Sequence, residues 1–281
     1  VIRRRIGTLV HTAYGEIHVR VDGPEHAPAV VLLHGFGGSM HWWDRVTVQL
    51  ADRFRVIRVD LIGHGSSAQA AAACRPDDHA RAVVEVFDHL GVNRATVVGH
   101  SMGATVAIAV AEASNSVSRL VLIGEGPDAS TFSLPKVTKV LRVPVLGHAL
   151  RRFAPAPIVR LGYTTKAFAA GFRFETAFDD PDQLLEDDRA VAFATFRHCQ
   201  LGKEAYARAR PLDERLRDLA LPVLVIFGAQ DRMWNPRASI ARYRDVPGTR
   251  IEVIDQAGHS PQIETPQEVA HLIGEYAIAD T

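Results

Sequence analysis

Apolar positions along the chain fall into two rhythms, and the change between them sets the expected architecture. Gly15 to Gly23 (GEIHVRVDG) alternates apolar with polar residues, as a strand in a hairpin does. Ala29 to His34 (AVVLLH) is an unbroken aliphatic run, the mark of a strand covered on both faces. MHWWDRVTVQLAD follows with helical spacing, and Phe54 to Asp60 (FRVIRVD) predicts the next strand. Asp77 to Gly91 (DDHARAVVEVFDHLG) predicts an amphipathic helix closed by glycine. RATVVG, Ser118 to Gly124, Leu221 to Gly228 and Arg250 to Ile254 predict further strands, with a closing helix at PQEVAHLIGEYAIA. This repeated β-α-β order predicts an α/β fold: a doubly wound, mostly parallel sheet with helices on both faces.

After Pro127 the strand runs vanish until Leu221. The stretch between reads as short helices broken by Pro144, Pro155, Pro157, Gly162 and Gly171. It is rich in phenylalanine, at 132, 153, 168, 172, 174, 178, 193 and 196. The expected organisation is one core, residues 1–126 and 217–281, interrupted by an inserted helical segment, residues 127–216. Ser66 to Cys74 (SSAQAAAAC) is a low-complexity patch expected to be a mobile loop. Charge in the insertion is segregated. No acidic residue occurs between Asp128 and Glu175, while Lys136, Lys139, Arg142, Arg151, Arg152, Arg160, Lys166 and Arg173 do; ETAFDDPDQLLEDD then carries only acidic charges. Two readings stay open: a basic, apolar face for peripheral contact with an anionic membrane, or two halves that pair with each other and with water.

Composition narrows the class. The chain has 281 residues, 47% hydrophobic and 23% charged, with a formal net charge of zero. These are ordinary globular values, ample for a buried core, and the balance gives no reason to expect nucleic acid as a partner. No apolar run approaches the roughly 20 residues of a membrane span, and VIRRRIGTL does not read as a signal peptide. Arg3, Arg4 and Arg5 read as a membrane-proximal flank or a solvated chain end. Cys74 and Cys199 sit in no CxxC or Cys/His metal pattern. They favour a reducing compartment, hence the cytoplasm, while one bridge between them stays open. No metal and no cofactor are implied, and the oligomeric state is not encoded in any visible pattern.

The chemistry-bearing stretch is VVGHSMGATVAIAVA, Val97 to Ala111. GHSMG fits G-x-S-x-G, with a strand before it and a helix after it, the context a nucleophile elbow requires. Gly99 and Gly103 let strand and helix approach, and Ser101 sits where free N–H groups at a helix N-terminus favour developing negative charge. The same serine could equally be a helix cap. A serine hydroxyl needs a base, and the base needs an orienting acid. Of thirteen histidines, His259 lies in the loop after the last strand, where the order serine, acid, histidine puts the base. Asp231 follows the penultimate strand; Glu125, one strand after the serine, is the competing carboxylate. The HGFGGS loop offers the Phe36 N–H as one oxyanion donor, with the Met102 N–H as the other. Trp42, Trp234 and Glu125 are expected pocket residues, and Trp43 is a further aromatic candidate for the cleft.

HGFGGS (34–39), DLIGHGSS (60–67), GHSMGA (99–104), FGAQDRM (227–233) and GHSPQIETP (258–266) together resemble the serine-nucleophile branch of the α/β-hydrolases. The resemblance covers both ends of the chain and places the insertion where that family carries a helical cap. It implies Ser101, Asp231 and His259 as a triad, with the Phe36 and Met102 amides as oxyanion hole. Haloalkane dehalogenases and soluble epoxide hydrolases resemble the architecture but use aspartate at the elbow. HGFGG departs from the HGxGPG loop of carbon–carbon bond hydrolases and from the HGGG loop of lipases. Glu125 departs from the usual pattern after its strand. The expected function is hydrolysis of a carboxylic ester, or related acyl bond, of a fairly apolar small molecule through an acyl-enzyme. The alternatives are a C–C hydrolase, lyase or perhydrolase using the same triad, and a non-enzymatic small-molecule receptor.

Overall fold

The computed structural model describes residues 7–70, 72–133 and 141–279. Arg3, Arg4, Arg5, Lys136, Lys139 and the Phe174 side chain lie outside the described set.

Eight strands form one sheet in the order β1-β2-β4-β3-β5-β6-β7-β8. The strands are β1 (Thr8–Thr12), β2 (Gly15–Asp22), β3 (Ala29–Leu33), β4 (Arg55–Val59), β5 (Ala95–His100), β6 (Val117–Ile123), β7 (Val223–Gly228) and β8 (Thr249–Ile254). β1 and β2 make the expected hairpin, β2 meets β4 antiparallel, and every later neighbour is parallel. Chain order reverses around β3, which has β4 on one side and β5 on the other. In a doubly wound sheet such a switch opens a crevice at the strand C-termini.

The continuous aliphatic runs are explained by two apolar layers. On one face Trp43, Val46, Leu50 and Phe54, from and around α1 (Asp44–Leu50), pack with Val269 and Ile273 of the last helix (Pro266–Ile278). On the other, α2 (Pro76–Leu90) and α3 (Met102–Ala113) pack Val83, Phe87, Val106 and Ile108 onto the sheet. α2 ends at Gly91, whose φ of 65° supplies the left-handed cap that the glycine predicts. Trp43 is wholly buried in the first layer, so it belongs to the core and not to the cleft.

Among the described residues five α-helices lie between β6 and β7: α4 (Pro144–Phe153), α5 (Ala156–Lys166), α6 (Gln183–Ala190), α7 (Phe193–Ala209) and α8 (Leu212–Leu219). Pro144 and Pro155 delimit helices as expected. Pro157 and Gly162 break nothing. Pro157 occupies the first turn of α5, where a missing N–H costs no helical bond, and Gly162 is carried within the same helix. The expected boundary at residue 216 falls inside α8. Phe168 and Phe178 join Trp42, Leu184 and Ile263 in a small cluster that fastens the insertion to the core.

The segregated charges meet in part: Arg151 pairs with Asp188 at 3.4 Å, and Arg160 with Asp182. Arg142 reaches Glu204 instead, at 2.7 Å. The low-complexity stretch is tied down at its start. Ser66 N donates to Asp60 Oδ2 (2.9 Å), Ser67 Oγ to the Asp60 carbonyl (2.6 Å) and Ala68 N to the Glu16 carbonyl (2.8 Å). Asp60 also accepts Met40 N and contacts His18 Nδ1, so one buried carboxylate organises that loop.

Candidate active site

Ser101 stands between β5 and α3 with φ 50° and ψ −119°, a backbone region that side-chain-bearing residues rarely adopt. The surroundings enforce it. Ser101 N donates to the Ile123 carbonyl on β6 (2.8 Å), and its own carbonyl accepts Ala104 N (2.8 Å). A Cβ on Gly99 would lie 2.2 Å from Gly103 O, and one on Gly103 would lie 2.3 Å from Leu33 O. The two glycines of G-x-S-x-G are therefore the places where strand and helix touch backbone to backbone. This sharp turn sets Ser101 on the wall of a cavity of about 790 Å³.

Asp231 and His259 come from neighbouring loops, after β7 and β8. His259 Nδ1 lies 2.9 Å from Asp231 Oδ2, with both residues buried. The other carboxylate oxygen, Oδ1, accepts Met233 N (2.7 Å) and Trp234 N (3.0 Å), which fixes the acid against its own loop. Two side chains hold the histidine loop. Glu264 accepts Gly258 N (2.8 Å) and Ser260 N (3.3 Å), on either side of His259, and also Ala169 N (2.6 Å) from the insertion. His100 Nε2 donates to the His259 carbonyl at 2.9 Å. Burial holds the His100 ring well below its ordinary pKa, which keeps it neutral for that single donation.

The glycine-rich loop after β3 closes a turn from Gly38 N to Gly35 O (3.2 Å), with Gly37 at φ 71°. Among the described residues neither Phe36 N–H nor Met102 N–H donates to a protein acceptor. Both residues border the cavity, as do Ser101, His259, Trp42 and Trp234. Phe132, Phe153 and Phe196 add apolar wall, while Phe168 and Phe178 are packed away.

Glu125 lies behind that wall. Its buried carboxylate is 2.7 Å from Lys203 Nζ, and it is Lys203, from α7, that borders the cavity. Burial raises the Glu125 pKa and the adjacent ammonium opposes the rise. His259 takes Asp231 as its carboxylate partner, as the loop order predicts. Asp187, on α6, accepts Ser39 Oγ–H (3.0 Å), Trp42 Nε1–H (3.0 Å) and Gln183 Nε2–H (2.8 Å). Burial pushes its pKa up to about 7. Among the described residues no group of three or more His, Cys, Asp or Glu side chains is arranged to hold a metal ion.

Sequence reasoning missed His100, Glu264, Lys203 and Asp187. Glu264 stood inside a quoted motif and His100 beside the serine, so both had a positional signal. Lys203 and Asp187 had none, because the Lys203 partner is 78 positions away and the core partners of Asp187, Trp42 and Ser39, are 145 and 148.

Relatives share this arrangement of strands. The chain superposes on an esterase (EaEST) from Exiguobacterium antarcticum with a TM-score of 0.80 at 19% identity, covering 98% of this chain and 100% of that one. It is 26% identical to carboxylesterase YbfK of Bacillus subtilis, over 92% of this chain and 83% of the relative. It is 27% identical to the putative 2-succinyl-6-hydroxy-2,4-cyclohexadiene-1-carboxylate synthase of the same organism, over 91% and 92%. The alpha/beta hydrolase fold model matches residues 28–266, which run from β3 through β8 and include the insertion, and the chain belongs to the alpha/beta hydrolase fold family.

Proposed function

We propose that the protein is a serine hydrolase that cleaves carboxylic esters of apolar small molecules. The observation that carries this reading is the 2.9 Å contact of Asp231 with His259, at a cavity that Ser101 also borders from a strained elbow. Ser101 Oγ attacks the ester carbonyl as His259 takes its proton, and Asp231 holds the imidazole and stabilises its cation. The Phe36 and Met102 amides, which have no acceptor among the described residues, receive the oxyanion. His259 returns the proton to the departing alcohol, then activates water to release the acid. Residues 127–216 act as a cap whose aromatic wall selects an apolar group.

The experiment is hydrolysis of a p-nitrophenyl ester by the native chain and by Ser101→Ala, with fluorophosphonate labelling alongside. Native turnover and labelling, both lost in the variant, support the reading. Activity retained without the hydroxyl overturns it, and a folded native chain that neither labels nor turns over favours a receptor. A lyase or C–C bond reaction with the same residues is a second reading, supported by the likeness to the putative synthase. A panel of esters, thioesters, lactones and C–C substrates separates the two.

Cytoplasmic location with peripheral membrane contact completes the proposal. Two cysteines in the whole chain, too few for a disulfide framework, favour the first. The second is supported by Val145 (85% exposed), Phe153 (77%) and Ile158 (61%) on α4 and α5, beside Arg152 and Lys166, which form no ion pair among the described residues. Cosedimentation with anionic vesicles at low and high salt tests it. No described helix is long and apolar enough to cross a membrane.

A further inference from the structure

We propose that Cys74 and Cys199 form a reversible disulfide that ties α7 of the insertion to the core segment leading into α2. They are the two cysteines of the whole chain. One precedes α2 and the other lies mid-way along α7, yet folding brings both, each 1% exposed, into one apolar cluster. Each thiol shifts the other's ionisation, as close neighbours do, while the Cys74 S–H donates to the Ala70 carbonyl at 3.5 Å. The backbone approach that a bridge requires is built in beside them. Gly202, one turn beyond Cys199, packs so closely that a Cβ there would lie 3.1 Å from Arg75 Cα and 3.3 Å from Cys74 O. Disulfides demand such proximity, with Cα atoms usually within about 7 Å.

The chemistry around the pair is suited to oxidation. The neighbouring thiol lowers the Cys74 pKa and, with burial, raises that of Cys199, so Cys74 is the thiol that ionises first. His79 Nε2, on α2, lies 3.8 Å from Cys199 Sγ, and burial drives the His79 pKa down to about 3, leaving a neutral ring. Cys199 also borders the cavity, so a small oxidant entering there reaches Cys74 past its neighbour.

With hydrogen peroxide as oxidant the balance is complete. The Cys74 thiolate attacks one peroxide oxygen and the O–O bond breaks, giving a sulfenic acid and, after proton uptake, water. Cys199 sulfur then attacks the Cys74 sulfur and displaces the hydroxyl as a second water as its own proton leaves. Two thiols and one peroxide become one disulfide and two waters.

The bridge would stiffen a wall of the cavity, because α7 also supplies Phe196, Gln200 and Lys203 to it. The cross-link itself is independent of the proposed esterase reaction; only its effect on rate rests on that reading.

The test is peroxide treatment of the full chain, alkylation of remaining thiols, proteolysis and mass spectrometry. The expected result is a single peptide pair joined through Cys74 and Cys199, two hydrogens lighter than the reduced pair, with both thiols lost to alkylation together and both restored by dithiothreitol. Cys74→Ser should leave activity in the reduced protein unchanged and give no cross-link, its Cys199 oxidising further instead. Two native thiols that oxidise independently, or that both stay alkylatable after unfolding, would overturn the proposal. A cross-link in a protein without esterase turnover would uphold it and count against the proposed reaction alone.

Discussion

Lys203 Nζ lies 2.7 Å from Glu125 Oε2, and this ion pair joins α7 of the insertion to the end of β6 beside the histidine loop. The carboxylate side chain is 2% exposed and the ammonium 20%. The ammonium also faces the Trp234 ring, 5.3 Å from its centroid.

Removing one partner of such a pair strands the other. Lys203→Met should destabilise the fold by about 3–5 kcal/mol, because a buried carboxylate loses its compensating charge. The double variant Glu125→Gln/Lys203→Met should cost clearly less. Urea titrations of the three proteins at neutral pH check this, and equal losses in the single and double variants would show that the pair does not carry the effect.

Asp231→Asn separates orientation from loop structure. Asparagine keeps an oxygen for Met233 N and Trp234 N, so the loop should stand. Its amide turns a donor toward His259 Nδ1 and disfavours the tautomer that leaves Nε2 free as a base. Turnover of a p-nitrophenyl ester should fall about 10⁴-fold with little change in thermal stability. Asp231→Ala should lose both, since the two backbone N–H groups then lose their acceptor.

The elbow makes opposite predictions at two positions a residue apart. Ser101→Gly should be more stable than Ser101→Ala by about 1 kcal/mol, because glycine tolerates the positive φ and strain of about 1–3 kcal/mol is relieved. Gly103→Ala should destabilise by about 3 kcal/mol or more, since its methyl group meets the Leu33 and His34 carbonyls at 2.3 and 2.6 Å. Paired thermal melts read both.

Much of this site was legible in the sequence because its parts are local. The turn at 99–103, the loop at 34–39 and the acid and histidine after β7 and β8 are each set by residues within a few positions of one another. The strands were legible for a related reason: burial on both faces leaves a continuous aliphatic run, as β5 shows. The insertion was not legible in the same way. Its helices take their places from long-range contacts, such as Phe168 and Phe178 with Trp42. Identical aromatic residues therefore divide between packed cluster and cavity wall with no signal in spacing. Glu125 needed Lys203 to explain it.

Asp187 predicts a pH effect of definite sign. Its folded pKa of about 7 stands above the ordinary 3.8, so between those values the native state holds a proton that the unfolded chain has released. Stability from this group is complete below about pH 4 and declines as pH rises toward 7. Asp187→Asn removes the titration. Its stability difference from the native chain should therefore shift steadily in favour of the variant across that window, measured by urea midpoints at each pH. A constant difference would mean that Asp187 stays ionised under the donors from Ser39, Trp42 and Gln183.

Turns and loops at the ends of the parallel strands carry Ser101, Asp231, His259 and Phe36, and the helices between β6 and β7 supply most of the surrounding wall. Change in the two parts is therefore separable over evolutionary time. Under the proposed reaction, sequence drift in α4 to α7 would retune which molecules are admitted while Ser101, Asp231 and His259 keep their geometry, so descendants of one ancestral chain could trade substrates without reinventing chemistry.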